Sequence, residues 1–390
     1  MDDRSVPSFA SSAALRRDFC RRLLGWFRRA ARDLPWRRTS DLYAIWVSEI
    51  MLQQTQVATV VPYYHRFLAK FPDVVSLAQA DEQQVLRLWE GLGYYRRARQ
   101  LHSAAQHVVR EHAGRFPATY DEVRSLPGIG RYTAGAILSI GLGARLPILE
   151  ANTIRVLCRL EAYRGDPAST EGQKHLWSLA ETLLPAGECG AFNQALMELG
   201  SGICTPKAPA CDACPVAMHC QARAQRLVNQ IPSPAKRTKY EAVREVAVVV
   251  RRGQRVLVRQ RQPGERWAGL WDFPRFAGTV ESAPQRVAEL AGVQIMLGRH
   301  LTTLKHGVTR FRITLECYEA TCATNKMRPR EHASASAAVR WVSAGELANL
   351  PLSVTGRKLA QLLTARAAPA TRNTSPPAAA RTGRSRRKTG

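Results

Sequence analysis

The chain has 390 residues, 45% of them apolar, which is enough for two domains of ordinary size with full cores. Its 57 Lys+Arg against 31 Asp+Glu leave a net charge of +26, which points to a polyanionic partner, nucleic acid before anionic membrane. No apolar run approaches the roughly eighteen residues of a membrane span. Nine cysteines, five of them scattered (Cys20, Cys158, Cys189, Cys317 and Cys322), argue against a secreted disulfide framework.

Residues 14–32 come first. Their arginines would suit a mitochondrial presequence, but Leu15, Phe19, Leu23 and Phe27 recur every four residues and predict an ordinary first helix with one apolar face. No signal peptide is recognisable, and a cytoplasmic place, at the bacterial nucleoid, is expected. The stretch YAIWVSEIMLQQTQVATVVPYY is mostly apolar with Glu49 embedded in it. A carboxyl group among apolar neighbours has a raised pKa and stays protonated, as a general acid must. On the local pattern alone, an exposed Glu49 on a wet helix face fits equally well.

The helical pattern continues to about residue 225, broken by FP at 71, FP at 116 and LPGIG at 126. In SLPGIGRYTAGAILSI, Pro127 ends one helix, Gly128 and Gly130 permit a tight turn with positive φ, and a second helix starts near Arg131. Such a turn leaves backbone N–H groups free at a helix N-terminus, where a phosphate docks; the plainer reading is a simple interhelical turn. Four cysteines follow in GICTPKAPACDACPVAMHC. Cys204, Cys211, Cys214 and Cys220 are spaced x6, x2 and x5. Zinc ribbons draw two close pairs from separate knuckles, whereas one continuous loop suits a [4Fe–4S] cubane better. Spacing alone leaves both open.

Residues 226–242 are polar, carry Pro232 and Pro234, and read as a linker. From 243 the apolar period changes to two. REVAVVVRRGQRVLVRQRQ predicts strand, turn at Gly253, strand, and SAPQRVAELAGV predicts a short helix. Phe311, Ile313, Leu315 and Cys317 then alternate with polar residues as a half-buried strand. An α+β domain over 243–365 is expected. The Ala/Pro/Ser/Thr-rich end, 366–390, is expected to be disordered; without its seven basic residues the body keeps +19.

The cysteine spacing resembles the [4Fe–4S] loop of the endonuclease III superfamily of DNA glycosylases, and LPGIGRYTA resembles its helix-hairpin-helix. With LPWR, SEIMLQQTQVATV, WEGLGYYRRARQLH and FNQALMELG, these motifs closely resemble the MutY family of adenine DNA glycosylases over about 30–225. Weaker similarity runs through 243–350, where that family has a Nudix-like domain recognising 8-oxoguanine. The resemblance implies a multidomain chain: an all-α helix-hairpin-helix glycosylase domain with a [4Fe–4S] loop over 14–225, followed by an α+β Nudix-like domain. It implies a monomer acting on double-stranded DNA with adenine:8-oxoguanine or adenine:guanine mispairs, without a membrane.

The resemblance also implies roles. Glu49 protonates adenine, and Tyr132 orients Glu49 and supports the cationic transition state. Arg32, Leu34, Trp36 and Gln194 line the adenine pocket. Gln54 and Tyr94 wedge into the base stack, with Tyr95 the candidate core aromatic of the Tyr pair. Thr55 and Leu92 contact the lesion strand. Gly128, Gly130 and Lys207 meet phosphates, and Cys204, Cys211, Cys214 and Cys220 hold a structural cluster.

Three positions set this chain apart. Superfamily members that cut the backbone carry a Schiff-base lysine where this chain has Tyr132, so lyase chemistry is expected to be weak or absent. The family's Asp-Gly-Asn is Glu150-Ala151-Asn152, one methylene longer at the carboxylate. The family's Phe-Ser-His recognition loop is Leu304-Lys305-His306. Two other functions compete. A glycosylase/lyase for damaged pyrimidines lacks its amine. A Nudix pyrophosphatase needs a carboxylate-dense helix for Mg²⁺, and TVESAPQRVAELAGV offers only Glu281 and Glu289.

Overall fold

The first apolar stripe folds as its spacing predicts. α1 (Ala13–Ala30) buries Phe19, Leu23, Leu24 and Phe27, and Ser12 caps it through a bond from the Leu15 N–H. Leu15, in the first turn, stays 42% exposed. These positions come from a computed structural model that describes residues 12–233, 239–323 and 338–367.

The helix that carries Glu49 has no wet face. α2 (Leu42–Leu52) is capped by Asp41 and buries every residue from Tyr43 to Met51. A helix that is apolar all round belongs in the middle of a bundle. α3 (Val57–Lys70), α4 (Val74–Gln79), α5 (Glu82–Trp89), α6 (Arg96–Glu111), α7 (Tyr120–Ser125) and α8 (Arg131–Leu142) follow it. Together they make one core, with Trp46, Met51, Phe67, Leu77 and Trp89 fully buried.

A second core joins the start of the chain to its later helices. α9 (Ala151–Leu160), α10 (Thr170–Leu183), α11 (Cys189–Gly202) and α12 (Gln221–Ala224) pack with α1 through Phe19, Leu23, Leu157, Leu176 and Phe192. Periodicity did not announce this two-lobed arrangement, because it depends on long-range pairing. Gly200 brings α11 close to α9: a Cβ there would lie 2.6 Å from the Asn152 Cβ.

Among the described residues the second half is built on a seven-stranded sheet: β1 (Glu241–Arg252), β2 (Arg255–Gln260), β3 (Trp271–Asp272), β4 (Arg275–Ala277), β5 (Ile295–Val308), β6 (Phe311–Cys322) and β7 (Val339–Val342). The order is β3-β2-β1-β6-β5, with β4 also on β1 and β7 on β2. β1 and β6 run parallel. α13 (Ala283–Ala291) covers one face, over Val246, Val248 and Val250. α14 (Ala344–Asn349) and α15 (Val354–Ala367) cover the other, packing Leu347, Leu359 and Leu363 with Val249 and Leu315. Burial on both faces explains the unbroken apolar run in β1.

Three boundaries differ from the sequence reading. β1 starts at Glu241, and α15 runs to Ala367, two residues into the segment expected to be a tail. Residues 368–390 of that tail and 234–238 of the expected linker lie outside the described residues. Leu304, Lys305 and His306, expected in a loop, are part of β5 and pair with Leu315, Thr314 and Ile313 of β6. No helix among the described residues is long and apolar enough to cross a membrane.

The two halves are bolted together at α5. Leu270 is buried in the first helical core. The Trp271 indole N–H donates to Gln83 Oε1 at 3.0 Å. Arg357 donates to both oxygens of the Glu90 carboxylate, at 2.6 and 2.9 Å. This docking sets the β5–β6 hairpin opposite the loop that ends in Tyr94.

Candidate active site

Between the two helical cores lies a cavity of about 440 Å³. The Arg32–Arg37 segment, α2, the Gln53–Thr55 loop, Tyr132, the Glu150–Asn152 turn and α11 all reach it. Arg32, Leu34, Trp36, Glu49, Gln54, Thr55, Tyr132, Glu150, Asn152 and Gln194, all singled out from the sequence, line it.

Glu49 is 4% exposed, which decides between its two sequence readings. Burial pushes its carboxyl up to about 7. The Tyr132 hydroxyl donates to Glu49 Oε2 at 2.7 Å and opposes that rise, while the nearby Glu150 charge adds to it. Burial and then Glu49 itself hold the Tyr132 phenol well above its ordinary range. The cavity therefore presents one carboxyl that keeps its proton near neutrality, which is the requirement for a general acid.

Glu150 is held differently. It is the N-cap of α9. Its Oε1 accepts from the Thr153 N–H at 2.9 Å, and its Oε2 accepts from the Asn152 N–H at 2.9 Å and from Asn152 Nδ2 at 3.2 Å. Burial raises its pKa, and the two backbone donors and Arg155 pull against that rise. Three N–H donors at a helix N-terminus suit a carboxylate, whereas Glu49 has one phenolic donor. The two acids thus differ in their partners: one phenolic donor on Glu49, three N–H donors on Glu150. Ala151 is the first residue of α9, where an alanine is at home and a glycine is not needed.

Sequence reasoning passed over Glu198. This carboxylate is 5% exposed and binds Arg32 Nε at 2.6 Å and Arg37 Nη2 at 2.7 Å. It fixes the segment that carries Leu34 and Trp36. The signal was available: Glu198 follows Gln194 by one helical turn in FNQALMELG and so shares its face.

The hairpin between α7 and α8 delivers Tyr132. Gly128 has φ +81°, and a Cβ there would strike the Gln100 side chain. Gly130 corrects the expectation of two left-handed glycines: at φ −99°, ψ −179° it is extended backbone. It is the N-cap of α8, and among the described residues no atom lies within 4 Å of an added Cβ, so the approach to the helix N-terminus is open there.

A second cavity, of about 480 Å³, lies between the halves. Tyr94, Arg99, Trp267, Leu304, Lys305 and His306 line it. Tyr94 is 49% exposed, while Tyr95 is buried and accepts the Gly91 N–H, so Tyr95 is the core aromatic of the pair. Leu92 reaches neither cavity; it is packed into the helical core at 6% exposure. Burial and the Arg275 charge push His306 down to about 4, so its ring is neutral. Arg275 Nη2 donates to His306 Nε2 at 3.2 Å, which leaves the ring proton on Nδ1. Trp267 and Arg275 carried no signal that the sequence reading used.

The four cysteines converge. Cys204, Cys211, Cys214 and Cys220 line one cavity of about 30 Å³, closed by Arg159 and Arg223. Arg159 Nη1 donates to Cys204 Sγ at 3.3 Å, and Arg155 Nε donates to the Cys204 carbonyl at 2.7 Å. α9 therefore carries Glu150 at its N-terminal end and braces the cysteine loop further along. Lys207 is exposed within that loop.

Comparison with known proteins agrees with this division of the chain. Residues 47–182 match the HhH-GPD superfamily of base excision DNA repair proteins, and residues 245–362 match a NUDIX domain. An adenine DNA glycosylase from Homo sapiens is 36% identical over 76% of this chain and 65% of its own length. The adenine DNA glycosylase of Mus musculus is 36% identical over 86% of this chain and 76% of its own. The chain belongs to the adenine DNA glycosylase family. It spans just under two thirds of the human relative's length. The solved structure of a thermostable thymine-DNA glycosylase, 31% identical, superposes with a TM-score of 0.50 over 54% of this chain and 97% of that one. This covers the helical half, and the sheet half is the family's Nudix-like domain. Glu281 lies in a turn and Glu289 on α13, where it pairs with Gln285 and Arg286.

Proposed function

We propose that this adenine DNA glycosylase hydrolyses adenine from duplex DNA in which it is mispaired with 8-oxoguanine or guanine, with Glu49 as general acid and without strand cleavage. The observation that carries the reading is the buried Glu49 carboxyl, raised to about 7 and held by Tyr132 inside a cavity large enough for a base. A base in a duplex must be flipped out before its glycosidic bond is reachable. Glu49 gives its proton to the flipped adenine, the bond from C1′ to the base nitrogen breaks, and adenine leaves neutral. Glu150 faces the sugar cation with a negative charge. Water adds at C1′ and returns a proton to Glu49. Among the described residues that line the cavity none is a lysine, and Tyr132 stands where a Schiff-base amine would be needed. Tyr94, Trp267 and His306 in the second cavity are the groups offered to the opposite, oxidised base.

Incubation with a duplex carrying adenine opposite 8-oxoguanine tests this reading. Free adenine and an intact strand that breaks only after hot alkali are expected. Strand cleavage without alkali, with a borohydride-trapped adduct, would refute it.

The rate of excision should fall as pH rises through about 7, because Glu49 must be protonated. The Tyr132 bond favours the charged carboxylate, so Tyr132→Phe should move that falling limb to higher pH. Single-turnover profiles check it, and an unmoved limb would detach Tyr132 from Glu49.

Cys204, Cys211, Cys214 and Cys220 would hold a [4Fe–4S] cluster, which supplies a rigid cross-link for the loop bearing Lys207. The support for this reading is that the four thiols line one common cavity, beside Arg159 and Arg223, and come from a single continuous loop. Metal analysis of anaerobically purified protein should give about four irons per chain; stoichiometric zinc without iron would overturn the assignment.

A further inference from the structure

Arg97 is a buried cation with no carboxylate among its hydrogen-bond partners in the described residues. It lies in the first turn of α6 and is 8% exposed. A charge removed from water costs several kcal/mol unless hydrogen bonds replace the solvent. Here main-chain oxygens replace it. Nη1 donates to the carbonyls of Ile50 at 2.8 Å and Met51 at 2.9 Å, and also to that of Gln53. Nη2 donates to Thr55 Oγ1 at 3.2 Å and to the carbonyls of Leu92 at 3.4 Å and Gly93 at 3.2 Å. The Ile50 and Met51 carbonyls belong to the C-terminal turn of α2, where carbonyls lack an intrahelical donor and carry the negative end of the helix dipole.

The acceptors fall into two groups that meet nowhere else through this side chain. One group holds the end of α2 and the loop around Gln54. The other holds the loop that ends in Tyr94. Gln54 has φ +56° and Tyr94 φ +48°, the left-handed region that side chains rarely adopt. Each such residue costs on the order of 1 kcal/mol or more and persists only when its surroundings fix it. Gln54 faces the cavity of Glu49, and Tyr94 faces the cavity of His306. The guanidinium also lies 5.5 Å from the Tyr94 ring centroid and 5.4 Å from that of Trp89. One planar fork thus links the loop that bears Gln54 to the loop that bears Tyr94, both of them exposed side chains.

We propose that Arg97 is a positioning residue that couples the two wedge loops, so that insertion of Gln54 and insertion of Tyr94 into the duplex occur as one event. The inference rests on the reading of those side chains as wedges. Arg97 touches neither base nor sugar; it acts through Gln54 and Tyr94. A lysine keeps the charge but offers no planar fork, so it cannot serve both loops at once.

A double-mutant cycle on Gln54→Ala and Tyr94→Ala, read as base flipping by 2-aminopurine placed next to the target adenine, tests it. In the otherwise unchanged chain the two substitutions should be non-additive by about tenfold. In the Arg97→Lys background they should become additive within about twofold, while the falling pH limb assigned to Glu49 stays in place. A merely structural role would lower the melting temperature without removing the coupling. If Arg97→Lys does not fold, Thr55→Val, which removes one contact on the Gln54 side alone, takes its place and should weaken the coupling. Coupling that survives in the folded variant overturns the proposal. Failure of the parent chain to release adenine would instead overturn the functional reading and leave the cycle's answer on flipping intact.

Discussion

Glu49→Gln should bind the mispair and release essentially no adenine. Gln has the shape of Glu and can still accept the Tyr132 hydroxyl, now 2.7 Å from Oε2, so the cavity keeps its form. What it loses is the transferable proton. Positioned general acids contribute roughly 10²- to 10⁴-fold, and adenine is a poor leaving group without protonation, so a loss of about 10³-fold or more in single-turnover rate is expected. A rate within tenfold of the parent chain would remove Glu49 from the mechanism. Stability supplies an independent reading. A carboxyl whose folded pKa is raised from 4.5 to about 7 favours folding in its protonated form. That contribution is complete below the unfolded pKa and is lost as pH rises through the folded one. Gln cannot ionise, so Glu49→Gln should melt at a higher temperature than the parent chain above pH 7. The full shift would be worth on the order of 3 kcal/mol. An inactive variant that is more stable at alkaline pH is not an unfolded one.

Much of the site was legible because its residues sit in unbroken local motifs. The stretch around Glu49 announced a helix, yet it could not say which face was wet; packing on every side of α2 answered that. Tyr132 and the hairpin were legible from LPGIGRYTA, but Gly130 was misjudged, because its value lies in open space at a cap and not in its φ. The Leu304–His306 stretch is expected as a loop because the resembled family has its recognition loop there; pairing with β6, a long-range property, makes it strand. Arg97 was hidden, because a charged residue in a helical pattern reads as surface and only the tertiary structure reveals the carbonyls waiting for it; Glu198 was passed over although it shares the helix face of Gln194.

Glu150→Gln should slow adenine excision at least about a hundredfold, roughly 2.7 kcal/mol, with mispair affinity little changed. The developing cation at C1′ needs a negative charge nearby. Two unit charges about 4 Å apart at an effective dielectric of about 20 interact by roughly 4 kcal/mol, so the expected loss lies within what one carboxylate supplies. Glu150 is placed for this. It lines the cavity with Glu49, and both its oxygens are tethered to the start of α9 by N–H donors that favour the ionised form. Gln keeps one acceptor oxygen, so part of the cap is lost as well, at a cost of about 1 kcal/mol or less in stability. Melting temperature reads that loss separately from the rate. Glu150→Asp isolates reach from charge. Asp is a preferred N-cap and should hold α9 at least as well as Glu. Its carboxylate stands one C–C bond, about 1.5 Å, nearer the backbone, and so further from the sugar. It should cap better and excise no faster than the parent chain. The acid side of the pH profile completes the test. A charge holder must be ionised, so the parent chain's rate should fall at low pH as Glu150 takes up a proton, and that limb should vanish in Glu150→Gln. A Gln variant as fast as the parent chain, with the acid limb intact, would assign the charge to another group and leave Glu150 as the cap of α9 alone.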